Sequence, residues 1–154
     1  MSSWRMSRYF LGRPASVTEA RRFVTVFLGD WPIVPTAELI VSELSTNAIR
    51  HSASGHFGGR FAVSIQAEPD RVWLGVVDQG GPHVPAVVHD CAHLDEHDEE
   101  SGRGLLLVSC LADSWGVSGD VAGRTVWALL KVAPKLAAPA SAPVTAMLGV
   151  ASCR

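Results

Sequence analysis

The chain has 154 residues, of which 47% are hydrophobic and 18% charged, with a formal net charge of -2 and a sequence pI near 6.3. This length supports one hydrophobic core but not two, and the near-neutral charge excludes a strongly basic surface that would bind nucleic acid or anionic membranes. No stretch of the sequence reaches the ~20 apolar residues of a membrane span.

Cysteines and the N-terminal residues indicate the compartment. Cys91, Cys110 and Cys153 form neither the even set of a disulfide scaffold nor a Cys-x-x-Cys metal motif. Arg5 and Arg8 lie where a signal peptide would need an apolar stretch. We therefore expect a cytoplasmic protein that contacts neither nucleic acid nor membrane directly.

The first elements in chain order are predicted to be a strand and a helix. Residues 4–11 mix aromatic and basic side chains and precede Gly12-Arg13-Pro14, a pattern typical of a strand that ends in a turn. Ser16 and Glu19 have the spacing of a capping box, which predicts a helix from there to Trp31.

A second helix is predicted after Pro32 and Pro35, with Thr36 as its N-cap. Its apolar residues recur with a period of 3.6 out to about His51, so one face should be buried. Those residues are Ala37, Ile40, Val41, Leu44 and Ala48.

The second half of the domain is predicted to be mainly strands. Residues 61–67 and 72–77 read as an antiparallel hairpin, and a long loop rich in Gly, Pro, His and acids follows from Gly80 to Gly102. Leu105 to Leu111 then suits a buried helix, and residues 114–118 and 125–132 read as two further strands.

These elements predict an α+β fold, a two-layer sandwich with a mainly antiparallel mixed sheet and helices on one face. The domain would cover residues 1–133. Residues 134–154 are rich in Ala and Pro, which predicts a disordered tail.

Glu43 and Asn47 are four residues apart on the predicted second helix, about forty degrees from one another around its axis. An asparagine amide oxygen is a suitable ligand for Mg²⁺, and a carboxylate can accept a proton from an attacking hydroxyl. His51 continues this row by one turn. Alternatively, the pair belongs to an ordinary solvated polar face.

Asp78 follows an apolar strand and precedes Gln79-Gly80-Gly81. A carboxylate at this point can accept a hydrogen bond from the exocyclic amino group of adenine, and Gly80 would let the backbone approach the base because it has no Cβ. The same residues would equally suit a simple turn that closes a strand.

Gly102-Arg103-Gly104-Leu105 precedes the last predicted helix. Glycines at a helix N-terminus leave backbone N–H groups and the positive end of the helix dipole open to phosphate oxygens. A flexible linker ahead of a core helix would have the same composition.

Together, these segments resemble the sequence boxes of the GHKL (Bergerat-fold) ATPases. Residues 43–51 are similar to the N box, residues 78–80 to the Asp-x-Gly box, residues 102–105 to the next glycine box and residues 123–127 to the final Gly-x-Thr segment. The resemblance spans about residues 8–132. Within the superfamily, the short length and the Glu-x-x-x-Asn-x-x-x-His pattern are most similar to the anti-sigma-factor serine-protein kinases.

The resemblance implies a role for each matching position. Glu43 would be the general base toward a serine hydroxyl of a partner protein, and Asn47 would hold the Mg²⁺ that bridges the phosphates. Asp78 would read adenine, with Thr125 supporting that contact. The implied cofactor-binding residues are Asn47, Asp78, Gly80, Gly102, Arg103, Gly104, Leu105 and Thr125.

The implied function is that of a cytoplasmic serine-protein kinase with ATP and Mg²⁺ as cofactors. It would phosphorylate a STAS-type anti-sigma-factor antagonist and control a sigma factor, and family analogy also suggests a homodimer formed through the first strand and helix. Glu100 departs from the pattern, since related kinases commonly carry a basic side chain there and only Arg103 supplies a nearby cation.

Two alternatives remain open from the sequence. The first is an ATP-binding anti-sigma or scaffold protein with little or no transferase activity, for which the acidic Glu100 would be tolerable. The second is a metal-binding protein, because His89, His93 and His97 recur every four residues and would align on a helix.

Overall fold

The computed structural model describes residues 2–86 and 101–133, with the side chains of residues 101 and 102 left aside. The histidine segment, Glu100 and the tail after residue 133 lie outside the described residues. The elements are β1 (Trp4–Leu11), α1 (Ala15–Leu28), α2 (Val34–His51), a 3-10 turn (Ala53–Gly55), β2 (Arg60–Glu68), β3 (Arg71–Asp78), α3 (Ser101–Leu111), β4 (Ser114–Asp120) and β5 (Gly123–Lys131).

A five-stranded sheet forms one layer of the fold, with the strand order β1-β2-β3-β5-β4. Every strand pair in the described part of the chain is antiparallel, whereas a mainly antiparallel but mixed sheet was expected. The predicted order of strands and helices is confirmed, and so is the α+β sandwich.

One hydrophobic core lies between the sheet and the three helices. Strand side chains alternate between the two faces of the sheet, and one face of β2 buries Phe61, Val63 and Ile65 against this core. The helices contribute their apolar stripes to it. All five apolar positions predicted for the second helix are buried: Ala37, Ile40, Val41, Leu44 and Ala48.

The capping box predicted for α1 is wrong. The helix begins at Ala15, so Ser16 lies inside it and is buried, and the residue before the helix, Pro14, already has helical dihedral angles. Glu19 instead forms a salt bridge with Arg13, with 3.8 Å between Glu19 Oε1 and Arg13 Nη2. The helix also ends at Leu28 rather than Trp31, because Gly29 adopts a φ of 59° that stops it.

The start predicted for α2 is also wrong. The helix begins at Val34, so Pro35 lies in its first turn instead of breaking the chain, and Thr36 is not its N-cap. Proline is tolerated at this point because the first backbone N–H groups of a helix have no partner within the helix. The end at His51 is confirmed.

α3 begins at Ser101, four residues earlier than predicted. Gly102, Arg103 and Gly104 therefore belong to the helix rather than to a loop ahead of it. Backbone N–H groups in the first turn of a helix have no intrahelical acceptor, so a helix that starts here is compatible with the predicted phosphate contact, which stays a prediction.

The two strand hairpins are confirmed, with bounds that are slightly wider except that β5 ends at Lys131, one residue earlier than predicted. β2 pairs with β3, and β4 pairs with β5 through a short turn at Val121 and Ala122. Among the described helices, none combines the length and apolarity that crossing a bilayer requires.

Candidate functional site

A cavity of about 380 Å³ lies between α2, the first turn of α3 and the ends of β3 and β5. Its volume falls within the range of small-molecule sites, and a mostly apolar lining with a few convergent polar groups is typical of them. The apolar lining residues are Leu44, Ala48, Val76, Val84, Pro85, Ala86, Leu105 and Val126. The polar lining residues are Asn47, His51, Asp78, His83 and Arg124.

Asp78 forms one end of the cavity, where β3 stops. Its Oδ1 accepts a hydrogen bond of 2.6 Å from the backbone N–H of Gly80, and the backbone N–H of Arg124 is a second donor. Burial raises the pKa of the Asp78 carboxyl above its ordinary value, although these two N–H groups and the charge of Arg124 lower it in part. A carboxylate with remaining acceptor capacity thus faces the cavity.

The turn after Asp78 is fixed by the 3-10 turn that follows α2. The backbone N–H of Gln79 donates to the Ser54 hydroxyl at 3.0 Å, and the backbone N–H of Ala53 donates to the Gly80 carbonyl at 2.9 Å. Ser54 is fully buried. Since both turns are held by backbone groups, the position of Asp78 is set by the fold rather than by its own side-chain torsions.

Gly80 is required for a reason that the sequence did not indicate. Its φ is 74°, and a Cβ there would lie 2.2 Å from the carbonyl oxygen of Val121. The glycine therefore lets the turn pack against the β4–β5 hairpin. The predicted approach of Gly80 to a base stays a prediction.

Glu43, Asn47 and Gly104 meet at the opposite end, where α2 contacts α3. A Cβ on Gly104 would lie 2.6 Å from Glu43 Oε2 and 3.6 Å from both terminal atoms of Asn47. A glycine at this position allows α3 to approach the two polar side chains closely. Asn47 lines the cavity, and Leu105 of the same α3 turn lines it from the other side.

The remaining residues of the predicted glycine box are less central. Arg103 is exposed and is not among the lining residues of the cavity. Gly102 contributes backbone in the first turn of α3. The structure therefore brings together Asn47, Asp78 and Leu105 around one cavity, with Glu43 and Gly104 directly behind Asn47.

Thr125 does not reach this cavity. Along β5 the residues Arg124, Val126 and Ala128 are buried toward the helices, so Thr125 points to the opposite face of the sheet. The expected support of Asp78 by the Thr125 side chain is not provided here.

The residue that β5 does bring to Asp78 is Arg124, which the sequence analysis missed. Arg124 is the register partner of Asp78, is only 5% exposed, and donates a hydrogen bond from Nη1 to the carbonyl oxygen of His83. The alternation Arg124, Val126, Ala128, Leu130 carried the signal, because a residue in phase with a buried apolar series shares its face.

Two histidines line the cavity between its ends. Partial desolvation lowers the pKa of His51, and the nearby Arg50 and His83 lower it further. A neutral imidazole is therefore favoured at His51. The sequence analysis named His51 only as the continuation of the Glu43/Asn47 row, and His83 not at all.

Comparison with known proteins agrees with the geometry. The family model described as the histidine kinase-like ATPase domain matches residues 10–130, which is most of the chain. The fold and the cavity define a GHKL-type ATPase domain, and the chain belongs to the histidine kinase-like ATPase family. A comparison with curated proteins finds no match. Family membership indicates ATP binding or hydrolysis.

Proposed function

We propose that this protein binds Mg²⁺ and ATP in the cavity and transfers the γ-phosphoryl group to a serine of a STAS-type anti-sigma-factor antagonist. One observation carries the proposal. The α2–α3 contact sets Glu43 and Asn47 beside the glycine turn of α3, while Asp78 lies at the other end of the same cavity.

The adenine would lie at the Asp78 end. Its exocyclic amino group would donate to the carboxylate oxygen that the turn leaves available, and Val76 and Val126 would pack against the base. Apolar contact supplies the affinity of such a pocket, and a placed polar group supplies orientation.

The side chains at the Asn47 end of the cavity are suitable ligands for Mg²⁺. Asn47 presents an amide oxygen, and Mg²⁺ is commonly held by one or two protein oxygens together with substrate phosphates and water. The Glu43 carboxylate adds a negative charge next to Gly104, the glycine that the Asn47 side chain also approaches. When bound, Mg²⁺ would neutralise charge on the phosphates, which is its usual part in phosphoryl transfer.

Glu43 would then act as the general base. The serine oxygen of the partner forms a bond to the γ-phosphorus, the bond from that phosphorus to the bridging oxygen breaks, and ADP leaves with the oxygen. The hydroxyl proton passes to the Glu43 carboxylate. Positioning and charge neutralisation supply most of the catalysis in such a reaction, so no covalent intermediate is required.

A second candidate function is an ATP-binding anti-sigma or scaffold protein without transferase activity. The exposure of Arg103 favours it, because this arginine lies outside the cavity lining and a cation at the γ-phosphate is worth several orders of magnitude in rate. In this case nucleotide binding alone would control the choice of partner.

The partners and the compartment are part of the proposal. We propose that the protein works in the cytoplasm, binds a sigma factor in alternation with the antagonist, and forms a homodimer through β1 and α1. These statements rest on the resemblance to anti-sigma-factor kinases.

Transfer of radiolabel from [γ-³²P]ATP to purified STAS-domain proteins tests the proposal. Each STAS protein is assayed as wild type and with its candidate serine changed to alanine, and the kinase is assayed as wild type and as Glu43→Gln. Label that requires both Glu43 and the serine supports kinase activity. Tight ATP binding without any transfer supports the binding-only function instead.

A further inference from the structure

We infer that Arg124 makes the base end of the cavity suitable for guanine as well as adenine, so that the protein binds guanine nucleotides about as tightly as adenine nucleotides. This inference rests on the proposed function, because it takes the cavity as the nucleotide site and Asp78 as the group that meets the base.

The guanidinium of Arg124 belongs to the base end of the cavity. Arg124 and Asp78 are directly paired in the β3–β5 ladder, and both side chains lie on the sheet face that the helices cover. The positive charge of Arg124 also lowers the pKa of the Asp78 carboxyl in part, against the larger effect of burial. The Arg124 guanidinium donates to the carbonyl oxygen of His83, in the segment that follows the Asp78 turn.

The guanidinium keeps donors for a ligand. It has five N–H groups, and within residues 2–86 and 101–133 its recorded hydrogen-bond acceptor is the His83 carbonyl. The side chain is nevertheless almost entirely buried. Because Arg124 lines the cavity, a ligand that offers an acceptor at this point gains a hydrogen bond to a charged group.

The pair of side chains matches the edge of guanine. Guanine presents N1–H and a 2-amino group as adjacent donors, followed by the O6 acceptor, and arginine is the side chain that most often binds its O6 and N7. Asp78 would accept from N1–H and the 2-amino group, and Arg124 would donate to O6. All three groups of the guanine edge would then have a partner.

Adenine also fits, but with fewer contacts. Its 6-amino group can donate to Asp78, and this contact does not involve Arg124, so one group of the adenine edge has a partner rather than the three of guanine. An aspartate without the arginine would favour adenine, since the O6 of guanine would then meet no donor. Arg124 is therefore the residue that determines purine selectivity.

Isothermal titration calorimetry of the full chain with ATP, GTP and ITP, each with Mg²⁺, tests this inference. We expect a Kd for GTP within about tenfold of that for ATP. ITP lacks the 2-amino group, so it should bind roughly tenfold more weakly than GTP, as expected for the loss of one hydrogen bond to a charged group.

The variant Arg124→Met removes the donors and keeps an unbranched side chain. It should weaken GTP binding by roughly tenfold or more and change ATP binding by less than about threefold. Arg71→Met is the matched control, because Arg71 is an exposed β3 arginine that pairs with Asp70 and Glu68 away from the cavity. This control should change neither affinity.

The possible outcomes separate the inference from the proposed function. Tight ATP binding with GTP more than about a hundredfold weaker overturns the inference and leaves the proposed function standing, and this comparison needs no variant. An equal loss of both nucleotides in Arg124→Met also overturns it. If neither nucleotide binds the wild type, the proposed function fails and the inference fails with it.

Discussion

The two ends of the cavity are built in different ways. Asp78 is held at the end of a central strand by backbone hydrogen bonds from its own turn and from the neighbouring strand. Glu43 and Asn47 lie on a helix surface, and their relation to α3 depends on the missing Cβ of Gly104. The Asp78 end is therefore fixed by the sheet, whereas the Glu43/Asn47 end depends on how closely two helices pack.

This difference matches the tasks that we propose for the two ends. Recognition of a base needs a rigid acceptor, which a strand end supplies. Phosphoryl transfer needs a general base and a metal ligand at the right distance from a helix N-terminus. Close packing of α2 on α3 supplies that distance. Substitutions at the two ends should consequently separate catalysis from affinity and stability.

The largest expected effect is on transfer in Glu43→Gln. This substitution removes the proton acceptor but keeps the shape of the side chain, so the transfer rate should fall by roughly 100- to 10,000-fold. ATP affinity measured by calorimetry should change little. A variant that retains the wild-type transfer rate would exclude Glu43 as the general base.

Asn47→Ala should next remove the Mg²⁺-dependent part of ATP affinity. Loss of a residue that only hydrogen-bonds to a metal ligand costs roughly 10- to 100-fold in metal affinity. Loss of the ligand itself should cost at least as much. Titrations with and without Mg²⁺ measure this, with Asn47→Asp as the control that keeps an oxygen ligand. Undiminished Mg²⁺-dependent binding by the alanine variant would refute the assigned role.

Gly104→Ala tests the close approach of the helices. The new methyl group would lie 2.6 Å from Glu43 Oε2, so the flexible carboxylate must move aside while the fold is kept. A displacement of about 1 Å in a reacting group can cost on the order of 100-fold, so transfer should slow by roughly 10- to 100-fold. The melting temperature should stay near the wild-type value, which distinguishes displacement from unfolding.

Gly80→Ala tests the rigid end through stability. Gly58 has nearly the same φ, 75° against 74°, but a Cβ there would meet nothing within 4 Å. Gly58→Ala therefore reports the cost of the backbone conformation alone, about 1 kcal/mol. Gly80→Ala adds a clash with the Val121 carbonyl and should lower the free energy of unfolding by about 2 kcal/mol or more, measured by urea denaturation. Equal losses in both variants would contradict the packing argument.

The smallest expected effect is the pH dependence contributed by Asp78. Because its pKa is raised in the folded state, the folded protein binds the proton more tightly than the unfolded chain. This contribution to the free energy of unfolding is complete below the ordinary aspartate pKa of 3.8 and is lost as the pH rises through the higher folded pKa. The stability difference between wild type and Asp78→Asn should thus decrease with rising pH. An increase would show that Asp78 is stabilised in its charged form.

The sequence predicted the fold well where periodicity determines it. The apolar stripe of α2 and the alternation in β2 and β3 fix which faces are buried, and these faces form the core. Element starts were less predictable. Ser16 and Thr36 have the chemistry of helix caps, but α1 begins at Ala15, directly after Pro14, and α2 begins at Val34, with Pro35 in its first turn.

The site was predictable only in part, for a related reason. Asn47, Asp78 and Leu105 line the cavity because each lies at a fixed point of a helix or strand end. A short motif predicted that Thr125 lies at the site. The register of β5 with β3, however, decides which face of the sheet each residue occupies. That register pairs Arg124 with Asp78. A motif gives the order of residues and not their register, so Arg124 was missed.

A crystal structure of the protein with Mg²⁺ and a non-hydrolysable ATP analogue tests the central claim most directly. We predict that the base contacts Asp78, that the metal is bound through the side-chain oxygen of Asn47, and that the phosphates lie against the first turn of α3. A nucleotide bound outside this cavity, or bound within it without contacting Asp78 and Asn47, would contradict the account.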